Sequence, residues 1–163
     1  MRSETSPEAD RKAAASSARE VIELLEVLWS TGRDMASPAP VSSSQLRVLY
    51  TLDRDQPINL RTLGAVLGSA PSSVSRMCDR LEALGFVERC PSSSSRREVE
   101  LRLSPRGERY LKELRGRRET ALLDVISTMP ADDRAALATG LRSFRMAVDG
   151  GTSPSARTTA ESA

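Results

Sequence analysis

The segment LRTLGAVLGSAPSSVSRMCDRLEAL, residues 60–84, contains two helical apolar patterns separated by a short turn. Gly68 ends the first pattern, and Pro71 suits the first position of a second helix. Two helices that cross closely need a small residue in the first helix, a turn that tolerates glycine, and an apolar residue after it. Gly64, Gly68 and Val74 occupy these positions. The spacing predicts a helix-turn-helix, and an ordinary helical hairpin in a core is the alternative.

The pattern after Gly85 changes from a helical period to the period of two that is typical of strands. Residues 86–90 predict one strand, which Pro91 ends, and residues 92–95 are four serines that predict a turn. A second strand follows, in which apolar Val99, Leu101 and Leu103 alternate with charged residues. Helices followed at once by a hairpin are the order of a winged helix-turn-helix. The predicted fold class is mainly α, with a small antiparallel β-hairpin as the wing.

Further helices flank this segment. One is predicted from residue 13 to about 34, and Ser42 with Gln45 offers a capping box for another over residues 43–53. Ser104-Pro105 begins a long helix that ends at Met129-Pro130, and a last helix runs to about residue 148. Residues 1–12 and 149–163 have few apolar side chains, which predicts disordered tails.

The inventory of reactive residues argues against an enzyme. The 163 residues suffice for one domain and include no histidine, which excludes Ser-His-Asp and Cys-His catalysis and most zinc sites. The two lysines, Lys12 and Lys112, lack a glycine-rich context. No catalytic residue, cofactor or metal is therefore expected. The sequence has no apolar stretch of 18 residues, its N-terminus is polar and contains acidic residues, and it has only two cysteines. These three observations together predict a cytoplasmic protein with no membrane partner.

The second helix of the motif has two distinct faces. Its apolar arc consists of Val74, Met77, Cys78, Leu81 and Leu84. Away from that arc lie the candidate DNA-binding residues Ser72, Ser73, Ser75, Arg76, Asp79 and Arg80. Serines let a backbone approach phosphates, and arginine can bind guanine with two hydrogen bonds. The pattern predicts a recognition helix in the major groove, and a plain solvated face is the alternative.

The tip of the hairpin adds positive charge. Ser95, Arg96 and Arg97 are candidates for contacts with a narrow minor groove, whose potential attracts guanidinium groups. Residues 71–118 hold 12 basic and 7 acidic side chains, a local net charge of +5, although the whole chain has a net charge of only +2. This basic centre predicts double-stranded DNA as the partner.

The chain also resembles the MarR (multiple-antibiotic-resistance regulator) family over about residues 15–148. The resemblance rests on residues 75–76, 79–82, 84–89, 96–97 and 103–107. It implies a single domain at 13–148, with a DNA-binding lobe at about 41–104 and dimerisation helices at about 13–34 and 105–148. It further implies a homodimeric, bacterial, nucleoid-associated transcription regulator, usually a repressor of a palindromic operator. Such repressors are often relieved by a small anionic or aromatic effector or by thiol oxidation.

Three positions depart from the family pattern. Ser95 stands where an aspartate usually fixes the wing arginine, Ala70 where a serine usually caps the recognition helix, and Gly64 where alanine is usual. The missing aspartate favours an alternative function, a winged-helix protein-interaction module that does not bind DNA.

Two further sites are candidates. The resemblance places an effector pocket near Trp29, Met35, Arg47 and Tyr50, with Arg47 facing an anion, although aromatic residues at helical spacing more often pack in a core or interface. Cys90 and Cys78 are the candidate redox thiols of a thiol-sensing regulator. Cys78 lies on the apolar face, where cysteine is usually inert.

Overall fold

The computed structural model describes residues 6–35, 41–92 and 98–151, without the side chains of residues 30–35. Within these ranges the chain forms six helices and three short strands. The helices are α1 (Pro7–Met35), α2 (Ser43–Asp55), α3 (Leu60–Leu67), α4 (Pro71–Ala83), α5 (Pro105–Ser127) and α6 (Ala131–Gly151). The strands are β1 (Ile58–Asn59), β2 (Val87–Pro91) and β3 (Val99–Leu103). The predicted winged-helix class, mainly α with a small antiparallel sheet, is confirmed.

The chain divides into two compact units, residues 1–115 and 116–163. The first unit contains the hydrophobic core, to which α2, α3, α4, the sheet and the start of α5 contribute. The core side chains are Val41, Val48, Leu49, Leu52, Ile58, Leu63, Leu67, Val74, Cys78, Leu81, Phe86, Val87, Leu101, Leu103 and Leu111. The second unit contains the rest of α5 and α6, and every side chain described on α6 is exposed.

The turn between α3 and α4 has the predicted geometry. Gly68 adopts a left-handed conformation with φ of 60°, which glycine tolerates without strain, and its N–H donates to the carbonyls of Ala65 and Gly64. Pro71 begins α4. A Cβ atom added to Gly64 would lie 3.5 Å from the carbonyl oxygen of Ser69 and 3.8 Å from the side chain of Val74. These are ordinary van der Waals distances, so a small side chain fits between the two helices at this position. The order of α3, a left-handed turn and α4 confirms the helix-turn-helix.

The sheet has a third strand that the sequence did not indicate. The strand order is β1-β3-β2 with antiparallel pairing, and Ile58 of β1 pairs with Leu101 of β3. Two residues are too few to show an alternating pattern, which is why β1 was missed. The prediction that Val99 lies on the buried face is wrong, because its side chain is 46% exposed. Val99 pairs with Pro91 at the end of the sheet, one position beyond the last pair of β3 with β1, which joins Asn59 and Glu100.

The outer helices are longer than predicted. Helix α1 begins at Pro7, and Glu8 and Asp10 in its first turn favour a helical start. Helix α6 reaches residue 151, because no proline after Pro130 interrupts it before Pro154. The prediction of disordered tails at 1–12 and 149–163 is therefore wrong for residues 7–12 and 149–151. Residues 1–5 and 152–163 of those tails lie outside the described residues.

Helices outside the core expose large apolar side chains in the single chain. On α1 these are Val21, Ile22, Leu24, Val27 and Leu28, and on α5 they are Leu123 and Val125. On α6 they are Leu137, Leu141, Phe144, Met146 and Val148. None of the described helices combines the length and the apolar composition that crossing a bilayer requires.

Candidate nucleic-acid interface

Helix α4 is anchored on one side and open on the other. Val74, Cys78 and Leu81 are fully buried and fix the helix against the core. The opposite side exposes five of the six predicted recognition residues, namely Ser72, Ser73, Arg76, Asp79 and Arg80. The sixth, Ser75, is half-buried. The two-faced helix predicted from the apolar spacing is confirmed, whereas binding of DNA by these residues stays a prediction.

Two arginines, Arg76 and Arg80, lie on the open side of α4. Arg76 Nε donates to the carbonyl oxygen of Ser72 at 3.4 Å, a bond within the helix that does not use the terminal nitrogens of this exposed side chain. Neither Arg76 nor Arg80 forms an ion pair with any residue that the structure describes. Their guanidinium groups are therefore the most accessible cations of this helix.

Asp79, by contrast, forms an ion pair that the sequence did not predict. Its Oδ1 accepts a hydrogen bond from Nη2 of Arg89 on β2 at 2.5 Å. Nη1 of the same arginine donates to Oε2 of Glu82 at 2.8 Å. The hydrogen bond to Asp79 is the main cause that raises the pKa of Arg89, which therefore stays charged. A signal was present in the sequence, since Asp79 and Glu82 are one helical turn apart and the strand after the helix carries an arginine.

An open cleft of about 860 Å³ is lined by α3, the turn after it and the start of α4. Small and apolar residues dominate its lining, which consists of Leu60, Arg61, Gly64, Ala65, Gly68, Ser69, Pro71 and Ser75. Ala70 provides no side-chain cap at the start of α4, as its identity predicted. The first turn of α4 therefore receives no side-chain hydrogen bond from its N-cap residue.

The base of the wing is closed by hydrogen bonds. The N–H of Ser92 donates to the carbonyl of Glu98 at 2.9 Å, and its buried Oγ donates to Oε1 of Glu100 at 2.7 Å. These bonds join the two strands where the wing begins. The predicted wing residues Ser95, Arg96 and Arg97 lie outside the described residues.

The two candidate redox thiols have different surroundings. Burial is the main cause that raises the pKa of Cys78 to about 11, so this thiol is protonated at neutral pH. Because the thiolate is the reactive form, Cys78 has the inert character that its apolar position suggested. Cys90 is half-buried, and its Sγ donates to the carbonyl of Glu100 at 3.5 Å. Redox sensing by Cys90 stays a prediction.

The four candidate pocket residues have packing contacts where their side chains are described. Nη2 of Arg47 donates to the carbonyl oxygen of Leu67 at 3.3 Å, which ties α2 to the end of α3. The guanidinium of Arg115 lies 5.6 Å from the ring centre of Tyr50. Trp29 is half-buried on α1, and the side chain of Met35 is not described. The effector pocket stays a prediction.

No group of three or more Cys, Asp or Glu side chains among the described residues is arranged to hold a metal ion. The cleft adjoins α4, because Ser75 is among its lining residues, and Asp79 and Glu82 of α4 contact Arg89 of the hairpin.

The chain is similar to members of a known protein family. The model of the MarR family matches residues 41–99. The uncharacterized HTH-type transcriptional regulator ML2140 of Mycobacterium leprae is 31% identical over 96 residues, which cover 59% of the chain and 67% of that protein. One other curated relative is covered over only 42% of its length, and the remaining three over 67 to 80%.

Two solved structures have a similar fold. RV1404 from Mycobacterium tuberculosis is 28% identical with a TM-score of 0.69, and the match covers 95% of the chain and 100% of that protein. FabT from Streptococcus pneumoniae, solved in complex with DNA, is 18% identical with a TM-score of 0.64, over 86% of the chain and 98% of FabT. At this identity the likeness to FabT concerns the fold alone.

Proposed function

The chain belongs to the MarR family of winged-helix transcription regulators, and we propose that it is a homodimeric repressor that reads a palindromic DNA operator with α4. MarR-family members are DNA-binding regulators and not enzymes. The proposal adds to this the mode of reading, the oligomeric state and the sign of regulation. A small anionic or aromatic effector that relieves repression is part of the same proposal.

The observation that carries the proposal is the open side of α4. Ser72 and Ser73 follow Pro71 in the first turn of the helix. Arg76 and Arg80 come next and form no ion pair among the described residues, and the opposite side is fully buried at Val74, Cys78 and Leu81. A rigidly seated helix with short polar residues and then arginines suits the major groove, where guanine offers two acceptors to one guanidinium. The related fold of FabT, a protein solved with DNA, supports the same use of this scaffold.

The first test replaces Arg76. Arg76→Ala should weaken binding to the preferred duplex by about 1–3 kcal/mol per half-site and relax the sequence preference, because the lost contact is to a base edge. The measurement selects the preferred duplex from a random pool with the unaltered protein. It then compares the affinities of both proteins for that duplex and for single-base variants of it.

Arg54→Ala is the matched control, since Arg54 is an exposed helical arginine of the same unit that pairs with Asp55 at 3.0 Å and lies outside α4. The control should keep the full ratio between preferred and unrelated duplexes. If Arg76→Ala also keeps that ratio, reading by α4 is wrong. If no duplex is enriched from the pool at all, the protein-interaction alternative replaces DNA binding.

Dimerisation is proposed from the exposed apolar residues of α1, α5 and α6. The side chains of Leu24, Val27, Phe144 and Met146 are each at least 65% exposed in the single chain. Exposed apolar surfaces of this extent are typical of protein interfaces, and a second copy is the partner that the family supports. Two recognition helices related by a two-fold axis would lie about 34–36 Å apart, one turn of DNA, and so require a nearly palindromic site.

Analytical ultracentrifugation tests this step. We expect a dimer at micromolar concentration, and Phe144→Asp combined with Leu141→Asp should shift the protein to a monomer, because a charge buried at an apolar interface is costly. Circular dichroism of the variant should retain the helical signal of the first unit. A folded monomer formed by the unaltered protein at micromolar concentration would contradict the proposal.

A further inference from the structure

We propose that Arg89 is a positioning residue that holds the carboxylates of α4 toward β2 and thereby keeps Arg76 available for DNA. This inference rests on the proposed reading of DNA by α4. It assigns a role to a side chain that lies on the hairpin and not on the recognition helix.

The guanidinium of Arg89 contacts two carboxylates of α4, one through each terminal nitrogen, and this arrangement is called the Arg89 fork. Nη2 contacts Asp79 Oδ1 at 2.5 Å, and Nη1 contacts Glu82 Oε2 at 2.8 Å. Asp79 and Glu82 are three residues apart on α4 and therefore lie on one side of the helix. The guanidinium side chain is only 32% exposed, while the carboxylates are 54% and 40% exposed. One cation thus draws two anions of the recognition helix toward the sheet.

Without this cation, Asp79 has another partner within reach. Arg76 precedes it by three residues, a separation at which side chains on a helix are neighbours and opposite charges attract. In the described part of the chain, the guanidinium of Arg76 is held elsewhere by a single hydrogen bond of 3.4 Å to the carbonyl of Ser72. An ion pair with Asp79 would occupy the donors that a guanine base needs. Arg89 satisfies Asp79 first and so prevents this competition within the helix.

The same fork removes negative charge from the side of α4 that approaches phosphates. Two uncompensated carboxylates beside Arg76 and Arg80 would repel the DNA backbone, and Arg89 neutralises one charge and turns both groups toward the hairpin. Glu82 lies six residues after Arg76, too far along the helix to capture it directly. Asp79 is therefore the competitor, and Glu82 is the second point that fixes the Arg89 side chain.

A purely structural role for Arg89 explains less. Strand β2 is already held by five residue pairs with β3, and the neighbouring Phe86 and Val87 are buried in the core. Exposed ion pairs contribute little to stability. Arg89→Ala should therefore fold and dimerise normally, so its effect on DNA binding can be measured.

The test is a cycle of affinities for the preferred duplex selected from a random pool. Arg89→Ala should weaken binding about tenfold or more, since Asp79 then competes for a base-reading guanidinium. Asp79→Ala should bind at least as tightly as the unaltered protein, because it removes a negative charge near phosphate and leaves Arg76 without a competitor. The variant with both changes should recover most of the affinity lost in Arg89→Ala. Arg89→Lys, whose ammonium serves one carboxylate at a time, should be intermediate.

Arg102→Ala is the matched control, because Arg102 pairs with Glu88 at 3.5 Å on the same hairpin but contacts no residue of α4 in the described part of the chain. It should lose only the small affinity due to one positive charge. Thermal unfolding and sedimentation of every variant verify fold and dimer.

Two results would overturn the proposal. If the double variant binds as weakly as Arg89→Ala, then Arg89 itself contacts DNA. If Asp79→Ala binds as weakly as Arg89→Ala, then the pair is a structural clamp.

A further comparison separates these results from failure of the proposed function: when Arg76→Ala alone leaves the preference for the selected duplex intact, reading by α4 is wrong. When Arg76→Ala has its expected effect, adding Arg89→Ala to it should cost less than Arg89→Ala costs the unaltered protein, because the guanidinium of Arg76 is no longer there for Asp79 to capture.

Discussion

DNA binding should weaken about 10³- to 10⁵-fold when monovalent salt rises from 50 to 200 mM. Each phosphate that a cationic side chain neutralises releases condensed counterions, and this release becomes less favourable as salt increases. A dimer with arginines on two recognition helices and two wings is expected to make about 6–10 such contacts. The measurement is the slope of the logarithm of the binding constant against the logarithm of the salt concentration.

The slope also locates the binding surface. Arg80 is exposed on α4 and forms no ion pair with the described residues, so it is the candidate for a phosphate contact beside Arg76. Arg80→Ala should lower the slope by about one unit per subunit and weaken preferred and unrelated duplexes alike. Arg54→Ala, outside α4, should leave the slope nearly unchanged. A slope near zero for the unaltered protein would show that the basic centre does not contact DNA.

The elements that the sequence predicted correctly are those with local causes. The left-handed turn at Gly68, the start of α4 at Pro71 and the capping box at Ser42 each depend on residues within a few positions. The buried arc of α4 follows from its period alone. Such features need no knowledge of distant parts of the chain, so they can be derived before the fold is known.

The features that were missed depend on contacts between distant residues. Strand β1 exists because Leu101 pairs with Ile58, 43 positions earlier in the chain, and because Gln56 Oε1 accepts the N–H of Leu103 at 2.7 Å. The Arg89 fork requires that the hairpin folds back along α4. No periodicity reports the pairing of β1, and the one-turn spacing of Asp79 and Glu82 does not by itself identify Arg89 as the cation that meets them. For the same reason the sequence placed Asp79 among the residues that face DNA, while the structure directs its carboxylate to Arg89.

The start of α5 shows most clearly how a distant contact constrains a residue. Ser104 caps this helix: its Oγ accepts the N–H of Gly107 at 3.0 Å and donates to the carbonyl of Gly85 at 2.6 Å. The N–H of Ser104 donates to the carbonyl of Phe86 at 3.0 Å. These bonds press the first turn of α5 against the backbone that follows α4. A side chain on Gly107 has no room there, because its Cβ would overlap the carbonyl oxygen of Phe86 and lie 3.1 Å from the carbonyl carbon.

Gly107→Ala should therefore lower the free energy of unfolding by about 3 kcal/mol or more, at the upper end of overpacked sites, since the obstacle is backbone and not a flexible side chain. Gly116→Ala in the same helix is the matched control, because among the described residues nothing beyond the helix's own neighbouring backbone lies within 4 Å of its added Cβ. The control should gain about 0.5–1 kcal/mol from the better helix propensity of alanine. Both free energies come from urea unfolding followed by circular dichroism. Equal effects of the two substitutions would show that α5 does not approach Phe86 as closely as the structure places it. If only Gly107→Ala lowers the free energy of unfolding, then the first turn of α5 packs against the backbone of Gly85–Phe86, as the structure shows. The recognition helix and α5 are joined there, because this short segment follows α4 and contacts both Ser104 and Gly107.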